Sequence, residues 1–342
     1  MNSIKRVKDA IEEIRKGNMV IMLDDENREN EGDLVYAAPL STALKVNFMA
    51  SYAKGLICVA ITSKTASRLE LTPMVSKNTS SYETAFTVSV DASNSKTGIS
   101  ASERDDAIKI LSNPISIKNE LVSPGHIFPL IGKKGGVLVR TGHTEGSIDL
   151  CKLAGFNGEA VICEIMKDDG TMARRDDLDI FAKKHNLKQV YISDLVEYRL
   201  SNELLVEKIS EDKFSFFDAD VMSLKFKDHL NNIHTVIKFG EIKEITYVKF
   251  HIIQLDINIF LNHKKLYSTI NTIDFLKKEG GLLVFLENNE DNKHSIKDFG
   301  VGAQILHKLK IKKLKLLTTG GKHSFVGLNG FGLEILDEII MG

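Results

Sequence analysis

The sequence predicts an α/β protein of two domains, in which helices and strands form layers. Its 342 residues exceed the usual size of one domain, and a hydrophobic content of 43% is enough for two cores. All five prolines and all three cysteines precede residue 164, and no arginine follows Arg199, so the two halves differ in composition. A predicted helix over Asp194–Leu205 closes the first half. We therefore predict one domain over residues 1–200 and a second over residues 201–342.

The first half opens with an amphipathic helix that ends at Gly17, because Ile4, Val7, Ile11 and Ile14 recur at helical spacing. Six apolar, β-rich runs then predict strands, and helical stretches lie between several of them. These runs are Met19–Leu23, Gly55–Thr62, Ala85–Val90, Gly135–Arg140, Glu159–Met166 and Val190–Ser193. This alternation predicts a layered α/β domain.

The second half shows the same alternation. A helix over Thr269–Lys278 ends at the glycine pair that starts at Gly280, and the strand Leu282–Leu286 follows. A further helix over Val301–Leu309 precedes a strand over Leu314–Thr318. The second domain is therefore also predicted to be α/β.

Charge and cysteine usage restrict the class of partner. The 45 basic residues nearly balance the 46 acidic ones, so we expect neither a nucleic-acid nor a membrane partner, and a small molecule is favoured. The apolar run Gly55–Thr62 is too short to cross a bilayer, and the charged N-terminus does not resemble a signal peptide. We expect a cytoplasmic protein whose cysteines, Cys58, Cys151 and Cys163, are reduced thiols.

An acidic segment directly after the first predicted strand is the most informative stretch. Asp24–Asp33 carries six carboxylates together with Arg28, and Gly32 lets the backbone turn sharply. Hard divalent cations prefer several carboxylate oxygens, and a cation among acids suits a phosphorylated or polyol ligand. A metal site is one interpretation. A solvated acidic turn is the alternative.

A second segment has the composition of a phosphate site. Arg140 can bind phosphate oxygens in bidentate fashion, Gly142 permits close approach of backbone amides, and the hydroxyls of Thr141 and Thr144 add donors. His143 is then available to bind a metal. An ordinary Gly/Thr-rich turn is the alternative interpretation of the same residues.

Two shorter segments add polar side chains. His126 follows a Pro-Gly pair that predicts a turn, where a surface histidine is the usual outcome. Glu164 lies within the apolar strand Val161–Met166, so it either faces an edge or has a functional partner.

These four segments together resemble 3,4-dihydroxy-2-butanone 4-phosphate synthase, a family of riboflavin biosynthesis, over residues 1 to about 200. Further matching stretches are Gly98–Ala101, Gly155–Phe156 and Asp168–Arg174. The resemblance implies a synthase-type α/β sandwich in which Glu29 and His143 bind two ions of Mg²⁺ or Mn²⁺, with Cys58 nearby. It implies that the protein is a homodimer, with His126 and Glu164 essential for catalysis. The implied substrate contacts are Arg28, Glu29, Asp33, Arg140, Thr141, Gly142, His143, Thr144 and Glu164.

The implied reaction converts D-ribulose 5-phosphate into L-3,4-dihydroxybutan-2-one 4-phosphate and formate. It passes through enolisation, dehydration, a skeletal shift and loss of one carbon. Divalent ions suit it because they stabilise the developing enediolate charge. The proton transfers require a base and an acid. Asp33, Glu31, His126 and Glu164 are the candidates, and their individual roles stay open.

The second half resembles the C-terminal part of GTP cyclohydrolase II in Asp298–Leu306, Leu316–Thr319 and Gly330–Ile335. That family binds zinc through three cysteines, whereas no cysteine follows Cys163, and the stretch Leu286–Asn292 lacks the family's arginines. We predict a catalytically inactive domain with scattered surface histidines. A bifunctional enzyme that also hydrolyses GTP is disfavoured by the missing cysteines. A non-enzymatic scaffold is disfavoured by the intact motifs of the first half.

Overall fold

The computed structural model describes residues 3–24, 28–80, 82, 84–203, 205–229, 231–253, 263–287, 296–319 and 333–341, with only the backbone for 263–265 and 296–300. Asp25, Glu26 and Asn27 of the acidic segment lie outside these residues, as do His294, His323 and most of the stretch 286–292. Contacts divide the chain into two compact units, Met1–Tyr198 and Arg199–Gly342. No described helix is long and apolar enough to span a bilayer.

The described strands of the first unit form one mixed sheet in the order β4-β5-β3-β6-β2-β1-β7. Its strands are β1 Val20–Leu23, β2 Gly32–Ala37, β3 Cys58–Ile61, β4 Val90–Ala92, β5 Leu121–Ile131, β6 Ala160–Glu164 and β7 Lys188–Tyr191. Its helices are α1 Ser3–Arg15, α2 Ala43–Phe48, α3 Ser63–Arg68, α4 Ala101–Ser112, α5 His143–Leu153, α6 Arg175–His185 and α7 Ile192–Asn202. The predicted α/β class is therefore confirmed for this unit.

The central strands are buried on both faces, which explains why they are almost purely apolar. β1, β3 and most of β6 show no solvent-exposed residue, and Tyr36 of β2 is among the largest fully buried side chains. α1 packs its apolar stripe, which includes Val7 and Ile14, inward, as its helical spacing predicts. Burial of this apolar surface is the main source of stability for the sheet that carries the site.

Three sequence predictions in this unit are wrong. Ala85–Val90 is not a strand, since it contains only isolated bridges at Phe86 and Thr87 before β4, which begins at Val90. Gly135–Arg140 is not a strand but contains a short 3-10 turn, Gly136–Leu138, because Gly135 and Gly136 adopt positive φ angles of 101° and 64°. The Pro-Gly pair before His126 does not form a turn, since it lies inside β5. β5 changes partners along its length, pairing first with β4 and then with β3, and this arrangement accommodates its prolines.

The second unit has an antiparallel half and a parallel half in the strand order β14-β13-β11-β12-β10-β9-β8. The antiparallel strands are β8 Val206–Phe216, β9 Ala219–Asp228 and β10 Ile233–Phe239, none of which was predicted. The parallel strands are β11 Ile245–Ile252, β12 Gly281–Leu286, β13 Lys313–Thr318 and β14 Glu334–Ile340. With α8 His263–Glu279 and α9 Ile296–Lys308, the predicted helices and the strands β12 and β13 are confirmed.

The histidines of the second unit are not all on the surface. His234 is buried, where its Nε2 lies 3.3 Å from the carboxylate of Asp228 and its Nδ1 accepts a hydrogen bond from the amide of Glu287. His251 is also buried and contacts the ring of Phe285 edge to face. The expectation of surface histidines is therefore wrong for these two, because neighbouring strands cover them.

Candidate active site

Three central strands bring acidic residues to one edge of the first sheet. Asp24 directly follows the C-terminal end of β1, Asp33 lies at the start of β2, and Glu164 ends β6. Because β2 runs antiparallel to both neighbours, Asp33 is paired in register with Met22 on one side and with Glu164 on the other. Residues far apart in sequence therefore converge at this edge.

The N-terminus of α5 places a histidine over the same edge. His143 is the first residue of the helix and is buried. Its Nδ1 lies 3.6 Å from Oε2 of Glu29, and its Nε2 lies 3.8 Å from Oδ1 of Asp33. Both distances are too long for hydrogen bonds, and the Nε2 and Oδ1 atoms are buried with no hydrogen-bond partner among the described residues. Such unsatisfied groups are expected where a ligand completes the site.

The donor atoms here suit a hard divalent cation. One ligand atom each from Asp24, Glu29 and His143 lies within 4.8 Å of the others, which is the single such group found among the described residues. Two carboxylates and one imidazole are ligands typical of Mg²⁺ or Mn²⁺. Asp24 was not among the predicted ligands. Its position in the sequence could have indicated it, because it directly follows a buried strand and is the first residue of the acidic segment.

Arg28 neutralises part of this acidic cluster. Its Nη1 atom lies 2.5 Å from Oδ2 of Asp24 and 3.0 Å from Oε2 of Glu29. Its guanidinium also lies over the ring of Tyr82, at 4.9 Å from the centroid, and its carbonyl accepts a hydrogen bond from the Tyr82 hydroxyl. Tyr82 was not predicted as a site residue, because 54 residues separate it from Arg28.

Burial and mutual charge shift the pKa values of the cluster. Burial raises the pKa of Asp33 to about 7, and the nearby carboxylates of Glu164, Glu29 and Glu31 reinforce the effect against the attraction of His143. Burial works against protonation of His143, but Asp33, Glu29 and Asp24 outweigh it and raise the pKa of the imidazole to about 9. In the metal-free protein a protonated His143 therefore supplies the positive charge at this point.

Two further glutamates of the predicted set lie beside the cluster. Burial raises the pKa of Glu31, with Arg174 opposing the shift from 3.5 Å. Oε2 of Glu164 accepts a hydrogen bond of 2.9 Å from the amide of Leu56. Gly55 must be glycine, because a Cβ atom there would lie 2.3 Å from the carbonyl oxygen of Glu164. These contacts fix the end of β6.

The sulfur of Cys58 lies close to the same carboxylates. Burial, reinforced by Glu164 and Asp33, raises the pKa of its thiol, so it stays protonated and uncharged. The position agrees with the expectation that Cys58 lies near the site. The thiol is buried, so it packs rather than reacts in this conformation.

The guanidinium of Arg140 donates hydrogen bonds to neighbouring residues through all three of its nitrogens. Nη1 donates to Glu145 at 2.6 Å, and Nη2 donates to the carbonyl of Tyr82 at 2.9 Å and the hydroxyl of Thr84 at 3.2 Å. Nε donates to the Tyr82 carbonyl as well, at 3.2 Å. Gly142 makes room for this arrangement, since a Cβ atom there would lie 2.2 Å from Nη1. The predicted bidentate contact with phosphate therefore conflicts with this geometry, in which Arg140 holds two loops together.

The two threonine hydroxyls of the second segment are free, whereas the amide of Gly142 donates to the carbonyl of Arg140 at 3.0 Å. The hydroxyls of Thr141 and Thr144 have no hydrogen-bond partner among the described residues. Gly142 is the N-cap residue of α5, so the first amides of the helix have no partners within the helix. A helix N-terminus of this kind favours an anion.

His126 stands apart from the cluster in this chain. Its Nδ1 lies 2.8 Å from Oδ2 of Asp91, its amide donates to Oδ1 of the same carboxylate, and 41% of its side chain is exposed. No contact within the described part of the chain joins His126 to Glu29 or His143. Asp91 was not predicted, because nothing in the sequence links it to a histidine 35 positions away.

Comparison with known proteins identifies the family. A sequence profile of 3,4-dihydroxy-2-butanone 4-phosphate synthase matches residues 8–198. A protein of Sulfurospirillum multivorans with that name is 57% identical over 334 residues, which cover 98% of this chain and 94% of the relative. The chain belongs to the 3,4-dihydroxy-2-butanone 4-phosphate synthase family. The resemblance seen in the sequence is thereby confirmed.

Solved structures support the same assignment. The two-domain family member RibBX of A. baumannii superposes with a TM-score of 0.84 and 37% identity, covering 98% of this chain and 99% of its own. A family member in complex with two magnesium ions matches with a TM-score of 0.55 and 38% identity over 57% of this chain and 97% of its own. A profile of GTP cyclohydrolase II matches residues 257–340, so the resemblance of the second half is also confirmed.

Proposed function

We propose that this protein is a divalent-metal-dependent lyase that converts D-ribulose 5-phosphate into L-3,4-dihydroxybutan-2-one 4-phosphate and formate in riboflavin biosynthesis. One observation carries the proposal. The potential metal ligands Asp24, Glu29 and His143 lie together, and Nε2 of His143 and Oδ1 of the neighbouring Asp33 are buried without hydrogen-bond partners among the described residues. Family membership supports it independently. The reaction balances without a co-reactant, because the water lost in dehydration is used again when formate leaves.

Glu29 and His143 would hold the metal, with Asp24 as a further ligand. A related protein whose structure contains two magnesium ions supports a two-ion site filled by Mg²⁺ or Mn²⁺. When bound, such ions stabilise negative charge that develops on the oxygens of an enediolate. Arg28 would shift from neutralising Asp24 and Glu29 toward the substrate once cations share these carboxylates.

Asp33 is the best placed general base and acid. Its pKa of about 7 allows the carboxyl group to accept and return a proton near neutral pH. Glu164, its cross-strand partner, and Glu31 lie on the same edge and are suited to the later proton transfers. Their mutual repulsion helps keep one carboxyl protonated while another is ionised.

The phosphate of the substrate would bind at the N-terminus of α5. The free hydroxyls of Thr141 and Thr144 and the amides that follow Gly142 supply donors, and the helix dipole favours the negative charge. In this proposal Arg140 orients the segment through Tyr82, Thr84 and Glu145 rather than holding the phosphate alone.

We further propose a cytoplasmic homodimer with a catalytically silent second domain. An exposed His126 that is oriented by Asp91, yet separate from its own cluster, is consistent with a role at a site near a subunit interface. The absence of cysteine after Cys163 and of arginine after Arg199 removes the ligands for zinc and for a triphosphate.

A formate assay tests the proposal. Purified protein with Mg²⁺ should release one formate per D-ribulose 5-phosphate consumed, and chelation by EDTA should abolish the release. GTP supplied in parallel should release none, and elemental analysis should find no stoichiometric zinc. Turnover of GTP together with bound zinc would support the bifunctional alternative. Absence of formate from the pentose phosphate at saturating Mg²⁺ or Mn²⁺ would refute the synthase assignment.

A further inference from the structure

A cavity of about 430 Å³ lies in the first unit, and none of the residues assigned to the active site lines it. Its walls come from the π-helical turn Met49–Ala53, the residues after β6, and α6. The volume falls in the range typical of small-molecule sites.

One wall of this cavity is aromatic. The ring of His185 lies 4.5 Å from that of Phe181 and 5.0 Å from that of Tyr52, and nearly half of Tyr52 is exposed. The Nε2 atom of His185 is buried without a hydrogen-bond partner among the described residues. Burial, assisted by Lys184, lowers the pKa of this imidazole and keeps the ring neutral. The wall thus offers aromatic rings against which a planar heteroaromatic ring can stack.

Charged side chains also line the cavity. Lys54, Lys167 and Lys184 line it together with two aspartates, Asp168 and Asp177. Asp168 pairs with Lys54, and Asp169 lies 3.5 Å from Nζ of Lys167. Asp177 accepts a hydrogen bond from the amide of Arg174. Within the described residues no carboxylate lies within ion-pair distance of Lys184, so its ammonium group is available to an anion. A phosphate is the small anion that such a lysine binds best.

We propose that this cavity binds a planar heteroaromatic molecule that carries a phosphate, of the flavin mononucleotide class. The ring lies against Tyr52 and Phe181, beside the imidazole of His185. The phosphate is bound by Lys184, the lysine of the lining that has no carboxylate within ion-pair distance among the described residues. The proposal does not depend on the catalytic assignment.

The cavity shares its backbone with the end of β6, so its occupancy acts on Glu164. Lys54 and Ile165 form an antiparallel bridge, and the amide of Met166 donates to the carbonyl of Ala53 at 2.9 Å. The same two segments hold Glu164 through the amide of Leu56. A ligand that packs against Tyr52 on one segment and against Ile165 and Met166 on the other restrains both segments, and we expect it to lower the turnover number.

Flavin fluorescence anisotropy with FMN as the probe tests the binding. FMN should bind the intact protein at a ratio of one to one with a dissociation constant on the order of 10 µM. Lys184→Gln should weaken binding about tenfold, because a charge-assisted contact with phosphate is lost. Lys183→Gln is the matched control, since Lys183 neighbours Lys184 on α6 and does not line the cavity. Riboflavin, which lacks the phosphate, should bind the wild-type protein about as weakly as FMN binds Lys184→Gln.

Three outcomes would overturn the proposal. The first is the absence of FMN binding at millimolar concentration. The second is equal affinity in Lys184→Gln and Lys183→Gln, which would place the probe elsewhere. The third is loss of FMN binding in His143→Ala, which would place it in the active site. Tyr52→Ala, a change at an exposed ring, should also weaken binding and tests the aromatic wall separately.

A kinetic measurement tests the coupling. Saturating FMN should lower the turnover number for formate release about fivefold in wild-type protein and in Lys183→Gln, but not in Lys184→Gln. Binding without any change in turnover would refute the coupling to Glu164. Should the protein release no formate at all, the binding experiment still decides the cavity assignment, so the two proposals fail separately.

Discussion

Nε2 of His143 and Oδ1 of Asp33 lie 3.8 Å apart, both buried and neither hydrogen-bonded to any described residue. Leaving a buried polar atom unsatisfied costs roughly 1–3 kcal/mol. A folded protein retains two such atoms side by side when a ligand satisfies them. This pair therefore marks the centre of the site.

Removal of either predicted metal ligand should abolish synthase activity without unfolding the protein. Glu29→Gln and His143→Ala each delete one donor of a cluster in which few donors are available. Asp24→Asn should weaken the apparent Mg²⁺ affinity by about tenfold or more, because one charge is lost from the ligand set. Formate release titrated with Mg²⁺ measures both effects.

The matched control is Glu12→Gln, a change at an exposed glutamate on α1 that should leave kinetics unchanged. Mg²⁺ should also raise the Tm of the wild-type protein. At a hundredfold excess over Kd, binding adds about 2.7 kcal/mol to the free energy of unfolding. Full activity of Glu29→Gln at ordinary Mg²⁺ concentrations would contradict the assignment.

The stability of the metal-free protein should fall as pH rises through the neutral range. Folding raises the pKa of His143 from 6.5 to about 9 and that of Asp33 from 3.8 to about 7. The folded state therefore holds more protons than the unfolded state between these limits. The contribution of His143 to the free energy of unfolding is complete below pH 6.5 and is lost as pH rises through 9. The contribution of Asp33 is lost between pH 3.8 and 7.

Urea unfolding in EDTA at a series of pH values measures this dependence. His143→Gln cannot titrate, so its free energy of unfolding should decline less steeply between pH 6.5 and 9 than that of the wild type. Parallel curves for the two proteins would show that the pKa of His143 is not raised. Apparent Mg²⁺ affinity should rise with pH over the same interval, because the metal competes with the proton.

Arg140→Lys should weaken apparent substrate affinity about tenfold or lower turnover sharply, because lysine cannot reproduce the planar set of donors. The structure adds a way to learn why. Thr84→Val removes one acceptor of Arg140 while leaving the guanidinium in place. If Arg140 acts by holding the loop, Thr84→Val should show part of the same defect in KM. A silent Thr84→Val beside a defective Arg140→Lys would instead favour direct contact with phosphate.

A chain truncated near Ser201 should retain formate release within about tenfold, because about 200 residues bury a sufficient core. A solved family member supports that expectation, because the match covers 97% of its chain but only 57% of this one. Stability should fall, since truncation removes Gln304, whose side chain donates to the carbonyls of Leu200 and Glu203 at 2.7 and 2.8 Å within the second unit.

Gln304→Ala in the full-length protein is the matched control for the truncation. It removes these hydrogen bonds and keeps the second domain, so it should lower Tm without changing the turnover number. A folded but inactive truncated chain would show that the second domain helps to form the active site.

The sequence by itself determined the family and the α/β class, and it predicted Glu29 and His143 as metal ligands. The acidic segment and the Arg-Thr-Gly-His-Thr segment are contiguous, so their chemistry is visible without the fold. Glu29 and His143 could be named because a short motif carries each of them. Buried strands such as β1 and β6 were predicted because both faces are covered and their residues are uniformly apolar.

Only the tertiary structure decided which of these residues share a site. Register between antiparallel strands places Glu164 opposite Asp33, a relation between residues 131 positions apart that no local pattern encodes. The structure also shows that Arg140 donates hydrogen bonds to Tyr82 and Thr84, and that the ring of His126 contacts the carboxylate of Asp91. Hydrogen bonds of this kind depend on the folded path of the chain. Residue type and spacing reveal which donors and acceptors exist, whereas packing determines which of them meet.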